Sequence, residues 1–300
     1  MSRGRKVLLG FAIYALLLIA VGLIFGSEGK NEAFEPVEEF RLTPWIHLKL
    51  GPLDMSITKA VFYLFLAAAL TIGTMVYLAR RMSQRPNRVQ TAVEAAYDLT
   101  YNTITRGNMD RGMAARWFPV VATLFFFIWF SNMIGYLPLP VNTTEKIDVF
   151  GLQIPALALY AATANLSIPL VLTLMVWVTY QVEGIRAKGV RGYFASWIPN
   201  GTPPKMKPFI FGIEVISQFV RIISLSVRLF ANILAGHLLL LFMGGGLAVL
   251  LGLAALGVLT LPLAFVFFLF EVGLVATLQA FIFATLTSIY FGEATAAHGH

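Results

Sequence analysis

Five titratable side chains lie well inside long apolar stretches of the sequence. They are Glu214, Arg221, Arg228, His237 and Glu271. A charge at the centre of a bilayer costs several kcal/mol on insertion scales, and the charges that are kept there usually mark ion paths or proton relays. These residues therefore predict ion conduction.

Other kinds of chemistry have little support in the sequence. Cys is absent, which excludes a disulfide framework, a thiolate nucleophile and cysteine metal sites. We find no Gly-rich phosphate loop, no Ser/His/Asp set and no zinc-binding spacing. The sequence therefore predicts no cofactor, no metal and no catalysis of its own.

Polar side chains form a stripe along one predicted helix. At about 100° per residue, six of them fall within about 40° of a single line. They are Glu214, Ser217, Arg221, Ser224, Arg228 and Asn232. The part from Glu214 to Arg228 spans about 21 Å, more than half of a hydrocarbon core of about 30 Å. A stripe of this length favours a path over a point site.

The two arginines of the stripe support different interpretations. Arg221 lies seven residues after Glu214 on the same face, so the two could form a buried ion pair that holds helices together, with Arg221 reaching toward the interface. Arg228 lies deeper and has no acid three or four residues away. Arginine keeps its proton in proteins, so we expect a partner outside this helix. Within the chain, only Glu271 and Glu214 could serve.

His237 and Glu271 are predicted to lie close together. His237 lies nine residues past Arg228, which places it about 180° around the helix. A hairpin that turns near Gly244, Gly245 and Gly246 would bring Glu271 to a similar depth. Histidine titrates near neutral pH, so this pair could pass protons. A static hydrogen-bonded pair is the alternative.

The composition predicts an all-α integral membrane protein. The chain of 300 residues is 58% hydrophobic and 12% charged, whereas soluble domains carry about 25% charged residues. Stretches near or above the roughly 20 residues that cross a bilayer predict about six membrane-embedded helices. They cover residues 7–26, 57–79, 118–140, 156–180, 209–243 and 247–290. The last two exceed one crossing, which predicts a long, strongly tilted C-terminal helical hairpin.

Lys and Arg cluster in alternate connections, which predicts the orientation. The clusters are Arg3, Arg5 and Lys6; Arg80, Arg81, Arg85 and Arg88; and Arg186, Lys188, Arg191, Lys205 and Lys207. Such clusters lie on the cytoplasmic side, and they account for the net charge of +7 without a nucleic-acid partner. The loops 27–54 and 141–155 are the predicted outer loops.

Three further segments have their own predictions. Segment 7–26 is an uncleaved first helix or a signal peptide, and both termini are cytoplasmic if it is uncleaved. Segment 89–106 is amphipathic and predicts a helix on the cytoplasmic membrane surface, or else a soluble connecting helix. Segment 193–208 contains four prolines and predicts a loop.

Several motifs resemble those of the ATP synthase subunit a family. The principal one is SLSVRLFANILAGH at 224–237, and the others are FSNMIGYLP at 130–138, TANLS at 163–167, IE at 213–214 and TLQAFIFATLTSIY at 277–290. They follow the family's order and cover the chain from about residue 57 to its end. The resemblance therefore implies a membrane domain at 57–300, preceded by an N-terminal helix and outer acidic loop at 1–56.

The family resemblance implies a stator subunit of F-type ATP synthase in the bacterial inner membrane. Its partners would be the rotating c-ring, which packs against the C-terminal hairpin, the peripheral-stalk b subunits and the lipid bilayer. Protons would enter by one aqueous half-channel, neutralise a ring carboxylate and leave by an offset second half-channel. Arg228 matches the arginine between the two. ATP chemistry would belong to partner subunits.

Other site residues are implied one by one. Asn232 matches a residue beside the arginine, Gln279 and Tyr290 match positions on the last helix, and Asn132 matches an amide of the inlet half-channel. Glu214 matches an acid near the outlet. The polar stripe adds Ser224, and His237 with Glu271 correspond to an acid and a histidine of the inlet half-channel. A buried Asn, Gln or Tyr is also common as hydrogen-bonded packing.

The sequence departs from the family pattern at two places. Gly135 stands where some relatives have an acid near the inlet, and Glu271 lies eight residues before Gln279 instead of seven. The second departure could shift the face that Glu271 uses.

Two other functions are compatible with intramembrane charges. One is a secondary proton-coupled transporter, and the other is a purely structural membrane subunit. The sequence does not decide between H⁺ and Na⁺ as the coupling ion.

Overall fold

The computed structural model describes most of the chain after residue 55. The described residues are 5, 16, 42, 44–50, 53, 54, 56–81, 88–139, 146–149, 152–155, 160–199, 201–246 and 254–296. Apart from residue 16, the expected first helix at 7–26 lies outside them, as do most of the acidic loop after it and residues 82–87.

Seven α-helices form the described part of the membrane domain. They are α1 (Lys59–Arg81), α2 (Arg88–Asp98), α3 (Arg111–Gly135), α4 (Ser167–Ala195), α5 (Lys207–Leu241), α6 (Ala254–Phe270) and α7 (Ala276–Thr295). Wider π-helical turns extend three of them, at Leu99–Thr105, Phe242–Gly246 and Glu271–Val275. A 3₁₀ turn at Ala162–Ala164 precedes α4.

Five helical spans in the described residues are long and apolar enough to cross a membrane. They are Lys59–Tyr77, Arg111–Gly135, Ser167–Ala195, Lys207–Gly244 and Thr260–Thr295. The last two contain 38 and 36 residues, or about 57 and 54 Å of helix. Both exceed a hydrocarbon core of about 30 Å. The all-α membrane class and the long C-terminal hairpin are thereby confirmed.

Short antiparallel strand pairs lie in or directly beside the predicted outer loops. β1 (Pro44–Ile46) pairs with β4 (Ile57–Thr58), β2 (Lys49–Leu50) with β3 (Leu53–Asp54), and β5 (Lys146–Val149) with β6 (Leu152–Pro155). The sequence analysis did not predict these pairs, which are small additions outside the membrane helices.

Several predicted segment ends were wrong. α3 begins at Arg111 and ends before Pro138, instead of covering 118–140. α4 begins at Ser167 instead of 156, and it continues through Ala195 across a kink at Gly189, so the predicted loop at 193–208 is helical at its start. The apolar stretch ends at position 180 because charged residues follow it, and the predicted helix ends there. A helix can, however, continue beyond the bilayer, as α4 does. Tyr193 secures this extension because its hydroxyl donates to Oε1 of Gln181 at 2.6 Å.

Gly244–Gly246, near which the hairpin turn was expected, belong to the π-helical end of α5, and the following residues 247–253 lie outside the described part of the chain. Segment 89–106 is helical as predicted, first in α2 and then in the π-helical turn. Its end is buried against α7, where the Ser288 hydroxyl donates to the Ile104 carbonyl at 2.9 Å. Its location at the membrane surface stays a prediction.

The largest core lies where α3, α4, α5 and α7 meet. Its buried members include Val121, Phe125 and Ile128 of α3, Tyr180 of α4, Leu229 and Ile233 of α5, and Phe283 and Ala284 of α7. α1 packs against α3 on another side. One face of α5 is thereby fixed in the bundle, and this fixes the direction in which its polar stripe points.

Candidate functional site

The polar stripe of α5 changes its surroundings halfway along the helix. Glu214 and Arg221 are half-buried, whereas Ser224, Arg228 and Asn232 are exposed. The opposite face is buried, with Leu225, Leu229, Ile233 and His237 turned into the bundle. The stripe therefore follows one line along the helix, but its first half is partly buried and its second half is exposed.

Arg228 lies on the open face of α5. Among the described residues, no carboxylate comes within 4 Å of its guanidinium. The two acids that could have answered its charge are engaged elsewhere: Glu214 accepts from Gln218 at 2.9 Å, and Glu271 accepts from Tyr136 at 3.0 Å. The described chain thus offers a fixed cation to whatever covers this face.

Arg221 is held by a partner that the sequence analysis missed. Its guanidinium donates to Oε2 of Glu293 at 2.7 Å and lies 4.8 Å from the centre of the Tyr290 ring. The predicted partner, Glu214, is 4.0 Å away. Glu293 is 72 residues further along the chain, so neither spacing nor helix periodicity could reveal this pair.

A cavity of about 260 Å³ surrounds this arginine between α4, α5 and α7. We call it the Arg221 cavity. Its lining includes Tyr180, Glu214, Gln218, Arg221, Tyr290 and Glu293. A smaller cavity of about 10 Å³ shares Tyr180, Arg221 and Tyr290 with it and reaches Leu225, three residues from Arg228. The lining is polar enough to hold water.

Hydrogen bonds connect α4 and α5 along the Arg221 cavity. Oε1 of Gln218 accepts from the Tyr180 hydroxyl at 2.6 Å and from Nε2 of Gln181 at 3.2 Å. Nε2 of Gln218 then donates to Oε1 of Glu214 at 2.9 Å. Glu214 is therefore one end of a polar network inside the bundle, and Gln218 and Tyr180 are members that sequence reasoning missed.

His237 and Glu271 lie in one buried cluster, together with Tyr136 and Gly236. We call this set the Glu271 cluster. The Tyr136 hydroxyl donates to Oε2 of Glu271 at 3.0 Å, and the Tyr136 ring stacks on His237 with centroids 4.5 Å apart and planes at 28°. The predicted proximity of His237 and Glu271 is present, but Tyr136 links them. In the sequence, Tyr136 is distinguished only as a member of the motif at 130–138.

Backbone groups occupy both nitrogens of His237. Nδ1 lies 2.9 Å from the Ile233 carbonyl, and Nε2 lies 3.0 Å from the Gly135 carbonyl. A neutral imidazole donates from one nitrogen only, so both contacts are hydrogen bonds only when the ring is protonated. A side chain at position 135 would also overlap Ala161, so an acid at this position has no room in this chain.

A π-helical turn resolves the spacing of eight between Glu271 and Gln279. Buried positions of the last helix occur at Glu271, Ala276, Gln279, Ala280 and Phe283. The step from Glu271 to Ala276 is five residues, across the π-helical turn Glu271–Val275. Gln279 and Ala280 then follow Ala276 at three and four residues, which is the regular α-helical spacing. A π turn accommodates one more residue than a regular turn, so Glu271 and Gln279 are both buried at a spacing of eight.

Asn132 and Gln279 are buried, and the contacts of Asn132 resemble core packing. Asn132 is fully buried, accepts from the Thr163 hydroxyl at 2.7 Å and donates to the Ala276 carbonyl at 3.4 Å. Gln279 is buried three residues beyond Ala276. The structure thus groups Glu214 and Tyr290 at the Arg221 cavity, His237 and Glu271 in the Glu271 cluster, and Ser224, Arg228 and Asn232 on the open face.

Comparison with known proteins identifies the family. The model of the family described as ATP synthase A chain matches residues 61–292. A protein of Hyphomonas neptunium named ATP synthase subunit a is 33% identical over 274 residues, covering 89% of this chain and 98% of the relative. Subunits a of Rubrobacter xylanophilus and Beijerinckia indica are 34% and 35% identical over 266 and 265 residues. They cover 88% and 87% of this chain and 94% and 95% of the relatives. The chain belongs to the ATP synthase A chain family, the subunit a family of F-type ATP synthases.

Proposed function

We propose that this multi-pass membrane protein is the proton-translocating stator subunit of an F-type ATP synthase and works against a ring of c subunits. The observation that carries the proposal is the position of Arg228. It lies exposed on α5 without a carboxylate partner among the described residues. The Arg221 cavity begins on one side of it along the helix, and the Glu271 cluster lies on the other.

Arg228 separates the two half-channels. Its guanidinium holds a deprotonated ring carboxylate as that carboxylate passes, and because it does not titrate, it cannot hand a proton across. A proton that moves through 100 mV delivers about 2.3 kcal/mol, and a direct leak would waste that energy. Lysine would be a poorer barrier because its pKa falls readily on burial.

The Glu271 cluster belongs to the inlet and the Arg221 cavity to the outlet half-channel. The Lys and Arg clusters assign the Arg221 cavity to the cytoplasmic side, which supports this order. Along α5, Arg221 and His237 lie about 10 and 14 Å from Arg228 in opposite directions. Asn132 belongs to the inlet wall, and Glu214 and Tyr290 belong to the outlet wall.

The open face of α5 is the surface for the c-ring. Around Arg228 it carries medium and small side chains, which are Val220, Ile223, Ser224, Val227, Ala231, Asn232 and Ala235. Small residues let helices approach closely in membranes. Ser224 and Asn232 lie about one turn to either side of Arg228, where they can hydrogen-bond to the carboxylate that Arg228 attracts.

The family membership supports the remaining assignments. The chain is a membrane-sector subunit in a complex with others, and we assign it the b subunits of the peripheral stalk as further partners. ATP chemistry resides in partner subunits. The location is the bacterial inner membrane, with both termini cytoplasmic if the first helix is uncleaved. Neither a transporter nor a purely structural subunit fits the family membership as well.

Replacing Arg228 tests the proposal. In vesicles with the reconstituted complex, Arg228→Ala should reduce proton-driven ATP synthesis to less than about a tenth of the wild-type rate, because protons then leak between the half-channels. Arg221→Ala should be much milder, since Arg221 lies about 10 Å away along the helix. Synthesis above that limit in Arg228→Ala would reject the proposal, and equal damage in both variants would reject the distinction between the arginines.

A further inference from the structure

Two contacts confine the carboxylate of Glu271. The Tyr136 hydroxyl lies 3.0 Å from Oε2, and the Cα of Gly236 lies so close that a Cβ there would overlap both carboxylate oxygens. The side chain of Tyr136 is only 1% exposed. The carboxylate therefore packs between the Tyr136 hydroxyl and the backbone of Gly236.

His237 has no free nitrogen to hold Glu271 directly, because both nitrogens lie against backbone carbonyls. Tyr136 contacts both residues, because its hydroxyl donates a hydrogen bond to Glu271 and its ring stacks on His237. Phe268 meets the Tyr136 ring edge-on, at 6.3 Å and 87°. The tyrosine is thus fixed at both its ring and its hydroxyl.

We propose that Tyr136 is a positioning residue of the inlet half-channel, which holds the Glu271 carboxylate beside His237. This inference rests on the proposed function. The phenol keeps its own proton throughout and donates to Oε2, which leaves Oε1 as the oxygen that gains and releases the translocated proton. Because Tyr136 follows Gly135, whose carbonyl receives His237, one short segment positions both groups.

The test compares two substitutions of Tyr136. Tyr136→Phe keeps the stacked ring and removes the donor, whereas Tyr136→Leu removes both. Passive proton flux through the reconstituted membrane sector should fall at least about tenfold in Tyr136→Phe, as expected for losing a hydrogen bond to a charged group. Tyr136→Leu should be at least as impaired. The outer pH at half-maximal flux should move upward in Tyr136→Phe, because the charged carboxylate loses a donor that stabilises it.

Two controls separate positioning from a general structural effect. Tyr160 is as deeply buried and packs against Lys59 and Tyr63 instead of His237, so Tyr160→Phe should keep wild-type flux and pH dependence. In a Glu271→Gln background, Tyr136→Phe should add little to the loss, because two residues that act through one contact are not additive. Wild-type flux and pH dependence in Tyr136→Phe, or full additivity, would overturn the inference. If Arg228→Ala also kept ATP synthesis, the proposed function itself would fail.

Discussion

At the residue scale, Arg221 and Arg228 show how position along one helix decides what a charge can do. Both belong to the same polar stripe, seven residues apart. Arg221 is satisfied within the chain by Glu293 and Tyr290, whereas Arg228 faces outward. The sequence predicted the stripe and predicted that Arg228 has no acidic partner on its own helix. It could not predict Glu293, because that contact joins the last helix to α5 over a long separation.

Gly236 is a position where an added Cβ atom is expected to change proton flux. A Cβ at this residue would overlap the Glu271 carboxylate, so Gly236→Ala should displace the carboxylate from Tyr136. A displacement of about 1 Å can lower a rate by about a hundredfold, and proton flux through the reconstituted complex should fall severalfold or more.

Gly212→Ala is the matched control for Gly236→Ala. Gly212 lies on the same helix, and a Cβ there meets no atom within 4 Å. It should therefore leave flux unchanged. If the two alanine variants conduct protons equally well, the close approach of Gly236 to Glu271 does not affect proton flux and the prediction is wrong.

At the scale of elements, hydropathy located the membrane helices but not their ends. α4 continues to Ala195 because Tyr193 packs on Gly184 and donates to Gln181, and both contacts lie beyond the apolar stretch. His237 lies near Glu271, as the predicted hairpin requires. Tyr136 could not be predicted in this cluster, because a tyrosine beside a proline-containing turn is equally common at a membrane interface, and only packing shows that it turns inward.

The contact between α7 and the segment after α2 gives a prediction about stability. A Cβ at Gly292 would overlap the Asn108 carbonyl, and backbone cannot move aside cheaply. We expect Gly292→Ala to destabilise the solubilised complex by about 1–3 kcal/mol, the usual cost of overpacking. Thermal unfolding would measure this. Gly112→Ala, where nothing lies within 4 Å, should keep the wild-type transition, and equal transitions in both variants would contradict the packing argument.

At the scale of the whole molecule, the polar groups divide into two sets on either side of an arginine on an open face. The Arg221 cavity lies between α4, α5 and α7, and the Glu271 cluster joins the end of α3 to α5 and the π turn before α7. Under the proposed function, the c-ring is the moving partner that connects these two offset sites. The division follows from the packing of α5, so its periodicity alone could not reveal it.

The direction of the whole molecule in the membrane can be tested with single cysteines, because the chain has no Cys of its own. A cysteine at Glu35 should react with an impermeant thiol reagent from the outer side, and one at Gln84 from the cytoplasmic side, as the Lys and Arg clusters predict. The reverse labelling would contradict this orientation, and the Glu271 cluster and the Arg221 cavity would then exchange their assignments as inlet and outlet.

The π-helical turn at Glu271–Val275 has a consequence for how the last helix can vary. One residue added to a regular helix rotates everything beyond it by about 100°, which would turn Gln279, Phe283 and Tyr290 away from their neighbours. A widened turn takes up that rotation locally. The π-helical turn thus uncouples the rotation of the segment that carries Tyr290 from that of Glu271. The number of residues between them can therefore differ by one while each side chain still faces the same neighbours.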